Sequence, residues 1–166
     1  MINICFVCLG NIVRSPLAEN LFIHLAELEG VGEKFVADSA GTSAWHVGEQ
    51  PDPRMRRVAA EHGLDYDGRS RQFERKDYDR FDLIIAMDQE NHKSLLQKAR
   101  SPEQQAKLHL LREFDTMSGS QLSVPDPYYG GQEGFEAVYQ IIERSCRGLL
   151  QALEKGDVDI QRRFDL

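Results

Sequence analysis

The chain has 166 residues, of which 41% are hydrophobic and 28% charged, and its formal net charge is −7. This length suits a single domain with a core of its own. The negative charge argues against nucleic acid or an anionic membrane surface as a main partner. There is no apolar run of about 18 residues and no signal-peptide pattern, so neither a membrane span nor export is expected. Three cysteines do not indicate a disulfide framework, and we expect a cytoplasmic protein.

Predicted strands and helices alternate along the chain. The apolar run at residues 2–7 predicts a buried parallel strand. A helix should follow, with Ser15 as its N-cap and Pro16 in its first position. Asp52 and Asp88 are placed to begin two later helices. Further strands are predicted at residues 35–37, 83–86 and 108–111.

The C-terminal part of the chain combines a long irregular segment with the clearest helical pattern. Residues 112–133 lack a period and are rich in glycine and proline, and loops of this length are often functional. A helix should follow, with Phe135, Cys146 and Leu153 on one apolar face, so Cys146 is interpreted as a core thiol. We therefore predict one domain at residues 1–155 and a polar tail at residues 156–166.

This alternation predicts an α/β fold in three layers, α/β/α, around a central four-stranded parallel sheet. In such sheets, ligands bind beyond the carboxyl ends of the strands. Cys8 follows the first predicted strand, residues 39–45 follow the second, and the long loop follows the fourth. We expect these three segments to meet at one edge of the sheet.

Residues 8–16, with the sequence CLGNIVRSP, connect the first strand to the first helix. Gly10 and Asn11 tolerate unusual backbone angles, and the N–H groups of such a turn attract anions together with the helix N-terminus. Arg14 can hold two oxygens of one phosphate. Cys8 should then be a thiolate aimed at the bound anion, which suggests attack on phosphorus. The alternative is a buried cysteine at the end of a strand beside a solvent-facing arginine.

A cysteine nucleophile that attacks phosphorus needs a general acid for the leaving oxygen. Asp126, between two prolines in the long loop, is the candidate, and its alternative is a solvated aspartate in a turn. Trp45, Tyr128 and Tyr129 could form the walls of a cleft for a flat aromatic group, or could be ordinary, partly buried aromatics. The five histidines show no metal-binding spacing, and no metal is expected.

The combination of residues 8–16, residues 38–42 (DSAGT), Trp45 and residues 126–129 (DPYY) resembles the low-molecular-weight protein tyrosine phosphatases. The resemblance covers roughly residues 1–155. It implies an enzyme that hydrolyses phosphotyrosine in proteins through a cysteinyl-phosphate, binds phosphate and similar oxyanions, and uses no cofactor. It also implies that Cys8 is the nucleophile, Arg14 the clamp on the phosphoryl oxygens, and Asp126 first the acid and then the base.

The same resemblance implies supporting roles for other residues. Ser15 would steady the thiolate as a leaving group, Asn11 would shape the loop through a strained backbone, and Ser39 would anchor Asn11. The remaining substrate-binding residues would be Leu9, Gly10, Ile12, Val13, Trp45, Tyr128 and Tyr129.

The chain departs from the family at two positions. Val13 stands where many members have a second cysteine, and Gly68 stands where many animal members have a histidine that supports the loop. Three other functions are alternatives to a tyrosine phosphatase. Arsenate reductases of this fold need an extra pair of cysteines, protein-arginine phosphatases carry a threonine where Ile12 stands, and a phosphate-binding module without catalysis would not need Cys8 and Asp126 together.

Overall fold

The computed structural model describes residues 1–160 of the chain. The strands are β1 (Ile2–Cys8), β2 (Phe35–Gly41), β3 (Leu83–Ala86) and β4 (Leu108–Leu110). They form one parallel sheet in the order β2-β1-β3-β4. The predicted four-stranded parallel sheet is therefore confirmed. Of the predicted tail, residues 161–166 lie outside the described residues, whereas Val158 and Ile160 pack against the core.

Six α-helices connect and cover the strands of the described chain. They are α1 (Arg14–Leu28), α2 (Pro53–Glu61), α3 (Asp77–Arg80), α4 (Gln89–Lys98), α5 (Pro102–Ala106) and α6 (Gln132–Lys155), with 3-10 turns at Gly32–Lys34 and Leu111–Phe114. Helices α1, α2 and α6 pack together on one face of the sheet, and α4 packs against β3 and β4. Within residues 1–160 no helix is long and apolar enough to cross a membrane.

Strand β1 is buried on both faces, which explains its nearly continuous apolar sequence. Ile4 and Phe6 belong to the core beneath α1 and α6, whereas Cys5 and Val7 belong to the core beneath α4. Because successive side chains of a strand point to opposite faces, Cys8 lies on the same side as Ile4, and Cys5 lies on the other. The two layers of helices around the sheet confirm the predicted three-layer architecture.

Several predicted boundaries are confirmed by the local hydrogen bonds. The Asp52 side chain caps α2 by accepting from the Arg54 N–H at 2.8 Å, and Asp88 caps α4 by accepting from the Asn91 N–H at 2.7 Å. Cys146 is fully buried, as predicted for a core thiol, and burial raises its pKa well above the ordinary value.

Other predicted boundaries were wrong, and the start of α1 is the most informative case. The helix begins at Arg14, so Pro16 is its third residue and not its first, and no side chain caps the helix at Val13. Ser15 points instead to the sulfur of Cys8. A helix start without a side-chain cap keeps its N–H groups available for an anion.

Strand β2 is longer than predicted, because it extends from Phe35 to Gly41 and not only to residue 37. Parallel pairing with residues 5–8 of β1 continues the strand through the polar pair Asp38 and Ser39. Ser39 therefore lies within β2 rather than in the loop after it. Strand β4 ends at Leu110, and the next residue already belongs to a 3-10 turn. The short helices α3 and α5 were not predicted, since neither is long enough to show a period.

Candidate active site

The candidate site lies where the order of the strands in the sheet reverses. Strand β1 has β2 on one side and β3 on the other, so the connections from β1 to β2 and from β2 to β3 run to opposite sides. Crevices form at the carboxyl ends of strands at such points. Cys8, the last residue of β1, stands at this position, and residues 9–13 turn directly into α1.

Asn11 gives the loop its sharp turn. Its φ of 55° lies in the left-handed region, which costs a residue with a Cβ about 1–2 kcal/mol. Both polar atoms of its side-chain amide are hydrogen-bonded. The amide nitrogen donates to Ser15 Oγ at 2.8 Å and to Ser39 Oγ at 2.9 Å, and the amide oxygen accepts from the Arg71 N–H at 2.9 Å. These hydrogen bonds hold the strained conformation in place.

The loop turns its carbonyl groups outward. The oxygens of Cys8, Leu9, Gly10 and Ile12 accept hydrogen bonds of 2.8–3.0 Å from Thr42, Ser43, Ser70 and Asp52 in the surrounding segments. The carbonyl groups are thus bound by neighbouring segments, and the Asn11 N–H donates to the Cys8 sulfur at 3.3 Å. The loop is therefore a nest of donors suited to an anion.

Gly41 at the end of β2 allows this close packing. A Cβ at position 41 would lie 2.8 Å from the Leu9 carbonyl oxygen, a distance that side chains do not tolerate. Only glycine lets the end of β2 approach the loop closely enough for the Thr42 N–H to reach the Cys8 oxygen.

Cys8 lies at the floor of the site, and Ser15 lies behind it. The Cys8 side chain is buried, and its sulfur lies 3.0 Å from Ser15 Oγ. Because Ser15 Oγ already accepts from the amide of Asn11, its own hydrogen can point to the sulfur.

Arg14 is almost completely buried and is held by fixed partners. One guanidinium nitrogen, Nη1, donates to Asp88 Oδ2 at 2.7 Å and to the Val124 oxygen at 2.9 Å, while Nη2 lies 3.5 Å from Asp126 Oδ2. Burial on its own lowers the pKa of Arg14, but the negative charges of Cys8, Asp88 and Asp126 outweigh it and the pKa is raised. The guanidinium is therefore a permanent positive charge beside Cys8.

Asp126 faces Arg14 from the opposite wall of the cleft. Its Oδ1 accepts from the Tyr128 N–H at 3.0 Å, which leaves Oδ2 on the side of Arg14. The side chain of Asp126 remains 41% exposed, so it can exchange protons with solvent and with a bound molecule. The structure thus brings Cys8, Arg14 and Asp126 to one cleft although Asp126 is more than a hundred residues away along the chain.

The cleft is lined mainly by residues that the sequence predicted. Its lining consists of Cys8, Leu9, Gly10, Ile12, Val13, Arg14, Trp45, His46, Asp126, Tyr128 and Tyr129. Trp45 and Tyr129 form its outer rim and are 76% and 96% exposed. Asn11, Ser15 and Ser39 do not line the cleft but lie behind it, where they hold the loop.

His46 belongs to the cleft and was missed by the sequence analysis. Its ring lies 5.9 Å from the ring of Tyr128, and its Nδ1 is 2.5 Å from Glu49 Oε2. The five histidines show no metal-binding spacing, which favours a solvated or packed role for each, but the position of His46 directly after Trp45 could have indicated a wall residue.

A buried polar chain supports the loop from behind, and its last member, Glu19, was missed by the sequence analysis. Ser39 Oγ donates to Glu19 Oε1 at 2.7 Å, so the chain runs from Glu19 through Ser39 and Asn11 to Ser15 and Cys8. Burial is the main reason that the pKa of Glu19 is raised to about 7. The contact of Ser39 with Asn11 was expected, whereas Glu19 lies 20 residues from Ser39 and belongs to none of the sequence motifs.

Gly68 lies at the same polar chain. Together with Glu19, Ser39 and Asn11 it lines a cavity of about 140 Å³ behind the loop. The departure noted at this position therefore leaves open space rather than a side chain. Within the described residues no group of three or more His, Cys, Asp or Glu side chains is arranged to hold a metal ion.

Known proteins are similar to this chain both in sequence and in fold. The family model described as low molecular weight phosphotyrosine protein phosphatase matches residues 3–159. A low molecular weight protein-tyrosine-phosphatase of Streptomyces coelicolor is 44% identical, and the match covers 92% of this chain and 94% of the relative. The human low molecular weight phosphotyrosine protein phosphatase is 39% identical, with 90% and 94% covered.

Solved structures agree with these relatives. The crystal structure of a protein tyrosine phosphatase from Entamoeba histolytica superimposes with a TM-score of 0.90 at 39% identity, covering 95% of this chain and 99% of that one. The crystal structure of YfkJ from Bacillus subtilis gives a TM-score of 0.86 at 40% identity, with 94% and 96% covered. The chain therefore belongs to the low molecular weight phosphotyrosine protein phosphatase family.

Proposed function

We propose that this protein hydrolyses phosphotyrosine in proteins, with Cys8 as nucleophile, Arg14 as phosphate clamp and Asp126 as general acid and base. One observation carries the proposal: the Cys8 sulfur accepts from the Asn11 N–H of the loop, in a cleft that Arg14 and Asp126 also line. The family to which the chain belongs supports the same conclusion.

In the first step the Cys8 thiolate attacks phosphorus, and the bond between phosphorus and the tyrosyl oxygen breaks. Asp126 gives its proton to that oxygen, so tyrosine leaves as a neutral phenol. Arg14 and the N–H groups of the loop bind the equatorial oxygens, whose charge is best stabilised by fixed donors. The product of this step is a cysteinyl-phosphate.

In the second step Asp126, now a carboxylate, takes a proton from a water molecule that attacks phosphorus. The bond between sulfur and phosphorus breaks, phosphate is released, and the Cys8 thiolate is restored. Ser15 lies 3.0 Å from the sulfur and can donate a hydrogen bond to it as charge returns. No cofactor is needed in either step.

The walls of the cleft support an aromatic substrate. Ile12, Trp45, His46 and Tyr128 line the path to Cys8, and a phenyl ring can pack between such side chains. Phosphoserine has no ring to pack between these walls. Ile12 lines the cleft where protein-arginine phosphatases carry a threonine, so we expect phosphotyrosine to be hydrolysed faster than phosphoserine or phosphoarginine.

The proposal extends to setting and partners. We place the enzyme in the cytoplasm, where Cys5, Cys8 and Cys146 stay reduced, and all three are free thiols in the structure. We expect phosphotyrosine-containing proteins and inorganic phosphate as ligands. We expect no nucleic acid partner, because the net charge is −7.

The experiment compares wild type with Cys8→Ser on a phosphotyrosine peptide. Wild type should release phosphate, and Cys8→Ser should lose at least about 10⁴ in turnover because serine is not ionised at neutral pH. Inorganic phosphate should still bind to Cys8→Ser, which shows that the loop is folded. Cys146→Ala is the matched control and should keep its activity. Phosphate binding by wild type without turnover would instead support a binding module.

A further inference from the structure

Arg54, near the start of α2, is bound to Asp52 by a fork of hydrogen bonds. Its Nη2 donates to Asp52 Oδ2 at 2.8 Å and its Nε donates to Asp52 Oδ1 at 3.1 Å. Only 6% of the Asp52 side chain is exposed. Burial raises the pKa of Asp52, but the hydrogen bonds from Arg54 outweigh burial and the pKa is lowered. The carboxylate therefore stays charged and fixes the plane of the guanidinium.

The free end of the same guanidinium reaches the segment that carries Asp126. Its Nη1 donates to the Tyr128 carbonyl oxygen at 2.9 Å. Its central carbon lies 5.2 Å from the centre of the Tyr128 ring and 4.6 Å from the centre of the Phe135 ring. Both distances are within the range of cation–π contacts. Arg54 thus holds the backbone and the ring of Tyr128 at once.

Tyr128 passes this constraint on to Asp126. The Tyr128 N–H donates to Asp126 Oδ1, which leaves Oδ2 on the side of Arg14 and Cys8. On the other side of Asp126, the Val124 oxygen accepts from Arg14 and the Val124 N–H donates to the Met87 oxygen. The segment with Asp126 is therefore held at both ends, by Arg14 at Val124 and by Arg54 at Tyr128.

Asp52 connects this arrangement to the loop of the nucleophile. The Asp52 N–H donates to the Ile12 carbonyl oxygen at 2.8 Å. Arg54 and Asp52 together therefore bridge the loop of Cys8 and the segment of Asp126. Arg54 itself does not line the cleft, so its effect on a substrate must pass through other residues.

We propose that Arg54 is a positioning residue that sets the place of Asp126 relative to Cys8, by clamping Tyr128 to Asp52. The proposal rests on the acid role of Asp126 given above. It makes a specific demand: loss of Arg54 should weaken proton donation to the leaving oxygen and leave phosphate binding unchanged.

The experiment measures kcat/KM of Arg54→Met on two substrates. Phosphotyrosine needs a proton on its leaving oxygen, whereas dinitrophenyl phosphate releases a phenol acidic enough to leave without one. We expect a loss of about 10–100-fold on phosphotyrosine, since a displaced catalytic group costs rate steeply, and a loss below about 3-fold on dinitrophenyl phosphate. The amine in Arg54→Lys can reach either Asp52 or the Tyr128 oxygen but not both. This variant should therefore lose less activity on phosphotyrosine than Arg54→Met.

Three controls make this result specific. Arg57→Met removes an exposed arginine from the same helix and should change neither value. Inhibition by inorganic phosphate should be the same in Arg54→Met as in wild type, which shows an intact loop. In the background of Asp126→Asn, Arg54→Met should cause little further loss on phosphotyrosine, because both changes remove the same proton transfer.

Two outcomes would overturn the proposed role of Arg54. One is an equal loss on both substrates, and the other is a full further loss in the Asp126→Asn background. The proposed function fails separately: if Asp126→Asn itself loses equally on both substrates, then Asp126 is not the acid. Asp126→Asn could instead lose more activity on phosphotyrosine than on dinitrophenyl phosphate while Arg54→Met shows no such difference. That result would overturn the role of Arg54 and leave that of Asp126 intact.

Discussion

The loop that carries Cys8 and the segment that carries Asp126 face each other across the cleft, and they are held in different ways. The loop of residues 8–15 is buried except at Leu9 and Gly10, and its carbonyl groups are bound by neighbouring segments. Residues 125–131, called the acid segment below, are mostly exposed and are held mainly by Arg14 and Arg54.

This difference matches what each side must do. The nucleophile side has to present fixed donors to a charged group, and fixed donors stabilise a transition state without reorganising. The acid side has to admit a substrate and exchange protons with solvent, which requires access. We therefore expect changes in the acid segment to affect chemistry with little cost in stability, and changes behind the loop of Cys8 to affect stability.

The largest effect should come from the acid itself. Asp126→Asn keeps the shape of the side chain but removes its proton, so kcat/KM on phosphotyrosine should fall by about 10²–10⁴. The loss should shrink on dinitrophenyl phosphate, and the midpoint of urea unfolding should stay near that of wild type.

The exposed Asp65 provides the matched control, because Asp65→Asn makes the same change outside the cleft. Its kinetics should equal those of wild type. A large drop in the unfolding midpoint of Asp126→Asn would contradict the view that the acid segment is loosely tied to the fold.

A change behind the loop of Cys8 should appear in stability instead. The pKa of Glu19 is raised to about 7 in the folded protein, above its ordinary value of 4.5. Folding therefore favours the protonated carboxyl, a contribution that is complete below the unfolded pKa and is lost as pH rises through about 7. Glu19→Gln stays neutral and removes this dependence. Relative to Glu19→Gln, wild type should lose up to about 3 kcal/mol of unfolding free energy between about pH 4 and pH 8.

Urea unfolding of both proteins across this range measures the difference. Glu27→Gln, an exposed change on the same helix, is the control and should follow wild type. If wild type and Glu19→Gln show parallel pH profiles, burial does not shift the titration of Glu19 and the polar chain behind the loop is not coupled to pH.

The smallest effect should come from the rim of the cleft. Trp45 is 76% exposed and touches little of the core, so Trp45→Ala should change the unfolding free energy by no more than about 0.5 kcal/mol. Loss of one ring wall should raise KM for phosphotyrosine by about 3–10-fold, as expected for a single aromatic contact. Steady-state kinetics measures the change in KM, and thermal unfolding measures the change in stability.

Val47→Ala is the control for this change, because Val47 is also exposed but does not line the cleft. It should alter neither KM nor stability. A lower kcat for Trp45→Ala with an unchanged KM would mean that Trp45 acts on the chemical step and does not simply bind the ring.

The sequence alone was enough for the fold class and for the central residues of the site. Strands and helices follow from local patterns, such as the apolar run before Cys8, and alternation of these elements favours a parallel sheet. The spacing of Cys8 and Arg14 across one turn is local as well. The context of Asp126, between two prolines in a long loop, is equally typical of a solvated turn aspartate, and it was the resemblance of the DPYY motif to the family that singled it out.

The tertiary structure decided how these residues are supported. Ser15 was predicted to cap a helix, but its hydroxyl lies between Asn11 and the Cys8 sulfur. Ser39 was placed in a loop, but pairing of β2 with β1 holds it within the sheet beside Asn11. Arg54 and Glu19 had no signal in the sequence, because their partners Tyr128 and Ser39 lie 74 and 20 residues away. Periodicity and capping encode the elements of a chain, whereas the order β2-β1-β3-β4 determines which distant side chains meet.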